Sequence, residues 1–278
     1  MIAPAALAAV PGCGPGDPAP RIEPLSGGRL NRSFRIDSRA GSFVLRLNAP
    51  QRATRRLGVD RRNEIAAQGL AAGLGLAPRV IAVAPDHSFQ VCEYVFGGAA
   101  DASQLSDRDG LARLGATLQR LRTLEPPSTL RGASLIERAR RLVRRARAQA
   151  PGEPASLTAA LAAAETGWRL AGQGRAPCLV HSDPNPANVV LPPGAGPAVL
   201  LDWEYAHVGD PLQDPAAWLQ ACPALQGREV EVLRDCGLES EADAAMLTGM
   251  VAVYAALDAA WTCVAATAAG VAPDGRAN

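Results

Sequence analysis

The chain changes its hydrophobic period once, at Gly97-Gly98, and no other feature constrains its fold so strongly. Ahead of that point most apolar residues recur at every second position. Beyond it they recur at helical spacing, in segments dominated by Ala, Leu and Arg. Short strands are read at residues 21–25, 33–37 and 42–47, separated by the Ser26-Gly27-Gly28 turn and by a break at 38–41, which together make an antiparallel meander. A helix is expected over 60–73, with Ile65 and Leu70 on its apolar side, then extended stretches at 79–84 and 88–95. Helices follow at about 106–124, 134–150 and 154–170, the first stopped by Pro126-Pro127. Three short extended segments are read at 178–181, 189–191 and 198–202, and two more helices between about 228 and 269. The expectation is an α+β chain of two lobes: an antiparallel sheet within residues 1–95 and a larger, mainly helical unit within 96–278.

Charge and cysteine content narrow the classes of function. The chain has 28 basic and 27 acidic residues, so it lacks the basic excess of a general nucleic-acid binder. No run of about 18 residues is apolar and free of charged and turn residues, so no membrane span is expected. The Ala-rich opening lacks a positively charged start and is broken at Pro11, and is read as a short helix rather than a signal peptide. The six cysteines are far apart and form no C-x-x-C pair, which argues against a zinc ribbon or a disulfide framework and for reduced thiols in a cytoplasm. Every basic residue is arginine, which we attribute to genomic base composition; any cation that meets a phosphate in this protein must therefore be an arginine.

Chemistry is concentrated in one stretch, His181-Ser182-Asp183-Pro184-Asn185-Pro186-Ala187-Asn188. A strand delivers a histidine and an aspartate into a proline-rich loop, an asparagine follows five residues after the aspartate, and a second strand ends in Asp202-Trp203-Glu204. Two carboxylates and an amide at the ends of neighbouring strands are suitable hard-oxygen ligands and a base. Mg²⁺ takes a few such oxygens together with phosphate rather than a closed protein cage. In phosphoryl transfer the protein chiefly positions groups and neutralises charge, so one Asp for the acceptor hydroxyl and an Asn/Asp pair for metal suffice. As turn residues alone, Asp183 and Asn188 would have no such role, since Asp, Asn and Pro favour loops.

H-S-D-P-N-P-A-N followed by L-L-D-W-E-Y-A and G-D-P-L-Q-D resembles the core of the kinase-like small-molecule phosphotransferases, which include aminoglycoside phosphotransferases, choline/ethanolamine kinases and thiamine kinases. The likeness runs in order through most of the chain, including L-S-G-G-R-L-N-R-S-F-R-I, F-V-L-R-L, R-R-N-E and C-E-Y-V-F-G-G. It implies a two-lobed protein-kinase-like fold that uses ATP and Mg²⁺ on a small-molecule acceptor. By this resemblance Asp183 orients the acceptor hydroxyl and takes its proton, and Asn188 and Asp202 hold Mg²⁺ on the nucleotide. Arg46 matches the strand cation that touches the phosphates, and Glu64 the helix acid paired with it. The turn containing Ser26, Gly27, Gly28 and Asn31 is expected over the phosphates, and Glu93, Tyr94 and Val95 offer hinge backbone to adenine. His181 supports the loop. Two departures stand out: Arg46 replaces the lysine usual in antibiotic kinases, although the choline/thiamine branch commonly has arginine there, and Ser182 occupies a position where glycine is more usual.

The acceptor is read from the last helix. Tyr254, Asp258 and Trp261, at offsets of four and three, share one helix face. Aromatic faces with a carboxylate suit a cationic group, and Glu204 and Tyr205 complete the set; the competing reading is an amphipathic core helix with a polar edge. Five of the eleven aromatics (Trp203, Tyr205, Trp218, Tyr254 and Trp261) fall after residue 200, in the segments expected to wall this pocket. The expected function is therefore ATP-dependent phosphorylation of a small cationic alcohol of the choline, ethanolamine or thiamine type. An aminoglycoside phosphotransferase and a catalytically inactive nucleotide-binding module are the alternatives. Asp210 and Asp214 are read as loop and helix-cap residues rather than ligands. The six arginines between 138 and 147 could meet phosphate or anionic lipid, but are read as a solvated helix face.

Overall fold

The computed structural model describes residues 2–26, 30–149, 154–172 and 174–268. Helix α1 (Pro4–Ala8) precedes strands β1 (Arg21–Leu25), β2 (Arg32–Ser38) and β3 (Gly41–Leu47). These pair as the expected meander, with Arg21 opposite Asp37 and Ile36 opposite Phe43. A one-turn helix, α2 (Gln51–Thr54), leads into α3 (Arg61–Gly73), and β4 (Val80–Val83) and β5 (Phe89–Glu93) complete an antiparallel sheet of order β1-β2-β3-β5-β4. Because side chains alternate across a strand, the sheet has two different faces. Ile36, Phe43, Leu45 and Val91 point to one side and are sealed by Ala6 and Val10 at the amino-terminal helix. Arg46, Gln90 and Cys92 point to the other, towards α3, where Gln90 and Gln68 bond side chain to side chain at 2.8 Å. Asp60 caps α3 through the Arg62 and Asn63 N–H groups, so the helix starts where the sequence places it.

Helices α4 (Arg108–Arg122), α5 (Leu135–Gln149) and α6 (Pro154–Leu170) follow, the first capped by Asp107. Next come β6 (Cys178–Val180), β7 (Val189–Val190) and β8 (Val199–Leu200), each shorter than the extended stretch read from the sequence. Strand β9 (His207–Gly209) and helix α7 (Gln213–Ala221) have no counterpart in the sequence reading. β9 is three residues long, too short for a period, and exists only by pairing with β6. Pro215 in α7 reads as a break, but it lies in the first turn, where a missing N–H costs nothing. Helices α8 (Glu229–Asp235) and α9 (Ala244–Ala268) end the described chain.

Helix α9 runs through the middle of the helical region against α5, α6 and α7. A Cβ on Gly167 would lie 2.2 Å from the Gly249 carbonyl oxygen, and one on Gly249 2.4 Å from that of Gly167, so α6 and α9 meet backbone to backbone. By length and hydropathy alone, Ala244–Ala266 is the one helix among the described residues that could cross a membrane, despite the expectation that no such run exists. Its apolar character serves packing here: Leu247, Met250, Val253, Ala260 and Val264 are buried in the main core.

Candidate active site

Three strand ends deliver the polar residues to one place. β6 and β9 pair with Val180 opposite His207, and β7 and β8 pair with Val189 opposite Leu200. The loop after β6 therefore faces the residue that follows β8. The Leu201 N–H bonds the Asn188 carbonyl at 2.7 Å, which fixes the two chains relative to each other. Asp183 sits between two amides: Asn185 Nδ2 donates to Oδ1 at 2.8 Å and Asn188 Nδ2 to Oδ2 at 2.9 Å. Burial nevertheless pushes the Asp183 carboxyl up to about 7, helped by the nearby Asp202 charge.

The loop's conformation is enforced from below. Ser182 has φ +69° and Asp202 φ +55°, both in the left-handed region that disfavours side-chain-bearing residues. Asp214, in the first turn of α7, accepts the His181 N–H at 2.9 Å and the Ser182 N–H at 2.6 Å. Burial pushes its carboxyl up to about 6, against those two hydrogen bonds. Ser182 Oγ lies 2.9 Å from the Tyr254 hydroxyl. His181 is fully buried, its Nε2 2.8 Å from the Leu201 carbonyl and its ring edge-on to Trp203. Burial holds its imidazole down to about 4, so it stays neutral and Nε2–H donates. A supporting role for His181 accords with this geometry.

Asp214 is thus a structural clamp on the loop that carries Asp183, a role its reading as a simple cap missed. Asp210 forms a two-point pair with Arg175, both contacts at 2.9 Å. The repeated acid in G-D-P-L-Q-D was the only sequence signal for either.

Arg46 reaches across from the sheet. It donates to Asp202 Oδ1 at 2.9 Å and to Gln90 Oε1 at 3.1 Å, and pairs with Glu64. The pair is no surface contact: Glu64 is fully buried and the Arg46 side chain only 13 % exposed. Burial alone would weaken the Arg46 charge, but Glu64 and Asp202 hold it firmly on. Glu64 in turn stays well below the usual carboxylate range despite its burial, because Arg46 and Arg61 flank it. Arg61 bonds Glu64 Oε2 at 2.7 Å, Glu204 Oε2 at 3.3 Å and Asn31 Oδ1 at 3.1 Å. Asn31 completes the ring by donating to Glu204 at 3.1 Å. Glu204 and Asn31 are therefore tied into a buried clasp between the sheet side and the chain after β8; burial and the Asp202 charge push Glu204 up to about 7. Arg61, quoted in the sequence motif without a role, is its hub.

Other expected site residues fare differently. Ser26 is an exposed bend at the end of β1, and Gly27 and Gly28 lie outside the described residues. The Glu93 N–H is taken by the Arg79 carbonyl at 3.0 Å and the Tyr94 N–H by the Ser42 carbonyl at 3.1 Å, so neither of these two N–H groups is left for a base. The Glu93 carboxylate faces outward onto Arg79 at 2.5 Å. Trp203 and Trp218 are fully buried in the core and wall nothing. Tyr205, Tyr254, Asp258 and Trp261 do come together, along one cavity of about 430 Å³ that also contains Asp183, Asn188 and Asp202. The Trp261 indole N–H donates to the Tyr205 hydroxyl at 2.6 Å. Arg138 also lines this cavity, its guanidinium carbon 4.0 Å from the Tyr205 ring centre, so the α5 arginines are not all on a solvated face.

A divalent cation fits the donor set. Asn188 spends Nδ2 on Asp183 and Asp202 spends Oδ1 on Arg46, so Asn188 Oδ1 and Asp202 Oδ2 have no hydrogen-bond partner among the described residues. Two such hard oxygens on the cavity wall, completed by phosphate oxygens and water, are what Mg²⁺ requires. Among the described residues no cluster of three or more His, Cys, Asp or Glu makes a closed metal cage.

The sequence model described as "Phosphotransferase enzyme family" matches residues 21–260. Among solved structures, a choline/ethanolamine kinase family protein from Mesorhizobium loti shares 22% identity at a TM-score of 0.70, over 94% of this chain and 83% of that one. The choline kinase LicA from Streptococcus pneumoniae gives 0.72 at 19% identity, over 88% and 84%. A spectinomycin phosphotransferase in complex with ADP and spectinomycin gives 0.62 at 14%, over 87% and 81%. At these identities the likeness shows the fold, which is that of the two-lobed kinase-like phosphotransferases. No curated protein matches the chain.

Proposed function

The chain belongs to the phosphotransferase enzyme family, and from that premise we propose that it transfers the terminal phosphoryl group of ATP, with Mg²⁺, to a hydroxyl of a small ammonium-bearing molecule of the choline, ethanolamine or thiamine type. One observation carries the reading: a single cavity is lined by Asp183, Asn188 and Asp202 and also by Tyr254, Asp258 and Trp261. In this proposal residues 1–95 hold the nucleotide and 96–278 supply the catalytic and acceptor sites. Asp183, held by two amides, orients the acceptor hydroxyl and accepts its proton as the oxygen attacks phosphorus. Arg46 presents a permanent charge and planar donors to the phosphates from the β3 strand. Asn188 and Asp202 would hold Mg²⁺, which neutralises phosphate charge during transfer. Asp258 and the Tyr254 and Trp261 rings receive the ammonium group. An aminoglycoside would need several carboxylates for its several amines, and among the described residues the cavity adds only Asp258 to Asp183, Asp202 and Glu204. ATP supply and cysteines spaced without a C-x-x-C pair accord with a cytoplasmic enzyme.

The test is ADP release with ATP, Mg²⁺ and choline, ethanolamine, thiamine or an aminoglycoside as acceptor. Asp183→Asn should abolish acceptor-dependent turnover and leave ATP binding, followed by calorimetry, largely intact. Unchanged turnover in that variant, or ATP binding without transfer to any acceptor, overturns the proposal.

A further inference from the structure

Arg138 is the only basic side chain lining the cavity among the described residues. Its neighbours on α5 are engaged or turned outward: Arg140 pairs with Glu137 and Glu165, Arg145 bonds the Arg56 carbonyl, and Arg141, Arg144 and Arg147 are exposed. Arg138 does neither. It lies between the buried Leu135, Ala139 and Leu142 on the inner side of the helix, with its guanidinium over the Tyr205 ring. Its Nε is buried without a hydrogen-bond partner, and none of the ion pairs among the described residues includes it. A buried N–H donor without a partner is unfavourable. Five N–H donors in a planar fork match a carboxylate held at two points.

Position decides which anion this is. In the proposed function the phosphates already have their arginine, Arg46, which is bonded to Asp202. Arg138 instead stacks on Tyr205, whose hydroxyl is held by Trp261, and Trp261 and Asp258, three residues apart on α9, line the same cavity. Its presence also covers one face of Tyr205, so that ring serves the arginine rather than a bound ammonium group. We propose that Arg138 binds a carboxylate of the acceptor, so that the molecule phosphorylated is a hydroxylated zwitterion: hydroxyl at Asp183, ammonium at Asp258 and carboxylate at Arg138. The inference rests on the phosphotransferase reading above, keeps its ammonium-bearing acceptor and moves it from amino alcohols to hydroxy amino acids and their N-methylated kin.

The test uses matched acceptors that differ only by the carboxylate: carnitine against its decarboxylated analogue, serine against ethanolamine, and homoserine against 3-aminopropanol, each with ATP and Mg²⁺. The carboxylate member of at least one pair should be favoured in kcat/KM by about 30-fold, the span of one charge-assisted contact. Arg138→Leu should bring that preference within about 3-fold through the acceptor KM, with the ATP KM unchanged, and Arg138→Lys should keep an intermediate preference. Arg138→Lys carries the test if the leucine variant fails to fold. Amino alcohols used as well as their carboxylate partners would overturn the inference and leave the proposed function standing. A variant that lowers kcat equally for both members and raises the ATP KM would place Arg138 at the phosphates and overturn it too. Transfer to no acceptor at all overturns both.

Discussion

Ser182 is where backbone strain and a hydrogen bond oppose each other next to the proposed catalytic carboxylate. Its φ of +69° puts an L side chain in the left-handed region, at a cost of about 1–2 kcal/mol. Its hydroxyl meets the Tyr254 hydroxyl at 2.9 Å, a bond worth about 0.5–1.5 kcal/mol. Ser182→Ala keeps the strain and loses the bond, so it should destabilise by about 1 kcal/mol or somewhat more, because the largely buried Tyr254 hydroxyl loses its partner. Ser182→Gly loses the same bond but relieves the strain, less about 0.5–1 kcal/mol for the added freedom of the unfolded chain. The glycine variant should therefore be about 0.5–1 kcal/mol more stable than the alanine variant, the reverse of the order in a helix or strand. Guanidinium unfolding of the three proteins, with matched slopes, measures this directly. The Asp214 clamp acts on the Ser182 N–H, which all three retain, so Asp183 should stay in place and Ser182→Gly should keep most of its turnover. An alanine variant as stable as the glycine variant would refute the argument that the loop is strained.

Two further outcomes follow from charge and burial. The His181 ring should remain neutral, as the Nε2–H tautomer, from pH 8 down to about 5, because burial lowers its pKa from 6.5 to about 4; nitrogen-detected NMR of the imidazole shows this, and protonation near pH 6.5 would contradict the buried contact with Leu201. A group lowered in this way adds stability that is complete above 6.5 and withdrawn as the pH falls through about 4. Arg61→Met removes the hub that neutralises Glu64 and Glu204 and should destabilise by about 3–5 kcal/mol, as leaving a buried charge unpaired does. Arg79→Ala breaks a pair whose arginine is 70 % exposed, and the same unfolding assay should register less than about 1 kcal/mol.

Much of the fold was legible because local signals agreed with it. The meander follows from period-two alternation broken at Ser26 and at 38–41, and Asp60 and Asp107 cap the helices that begin beside them. Asp183, Asn188 and Asp202 were legible through their order along the chain, which is a chemical pattern independent of distance. What escaped were elements without a period of their own. β9 is three residues that are a strand only because β6 pairs with them. Trp203 and Trp218 were read as pocket walls because counting aromatics by position says nothing of which way they point; both face the core. Glu204 does line the cavity, but its position beside Asp202 gives no hint of Arg61, 143 residues away.

Arg138 marks the boundary between the two kinds of knowledge. The sequence by itself determined the two-lobed architecture, the strand-borne acid and amide that a phosphoryl-transfer site needs, and, through the absence of lysine, that every cation facing a phosphate or a substrate is an arginine. Helical periodicity also puts Leu135, Ile136, Leu142 and Val143 on the inner side of the helix over 134–150. It could not tell which of six nearby arginines turns inward, because periodicity describes one helix in isolation. Tertiary packing decided it: the chain after β8 lays Tyr205 under one guanidinium, and α9 brings Trp261 and Asp258 to the same cavity. Side chains far apart in sequence share a site only when the elements that carry them have packed, and the sign of the charge offered to the acceptor is set at that stage.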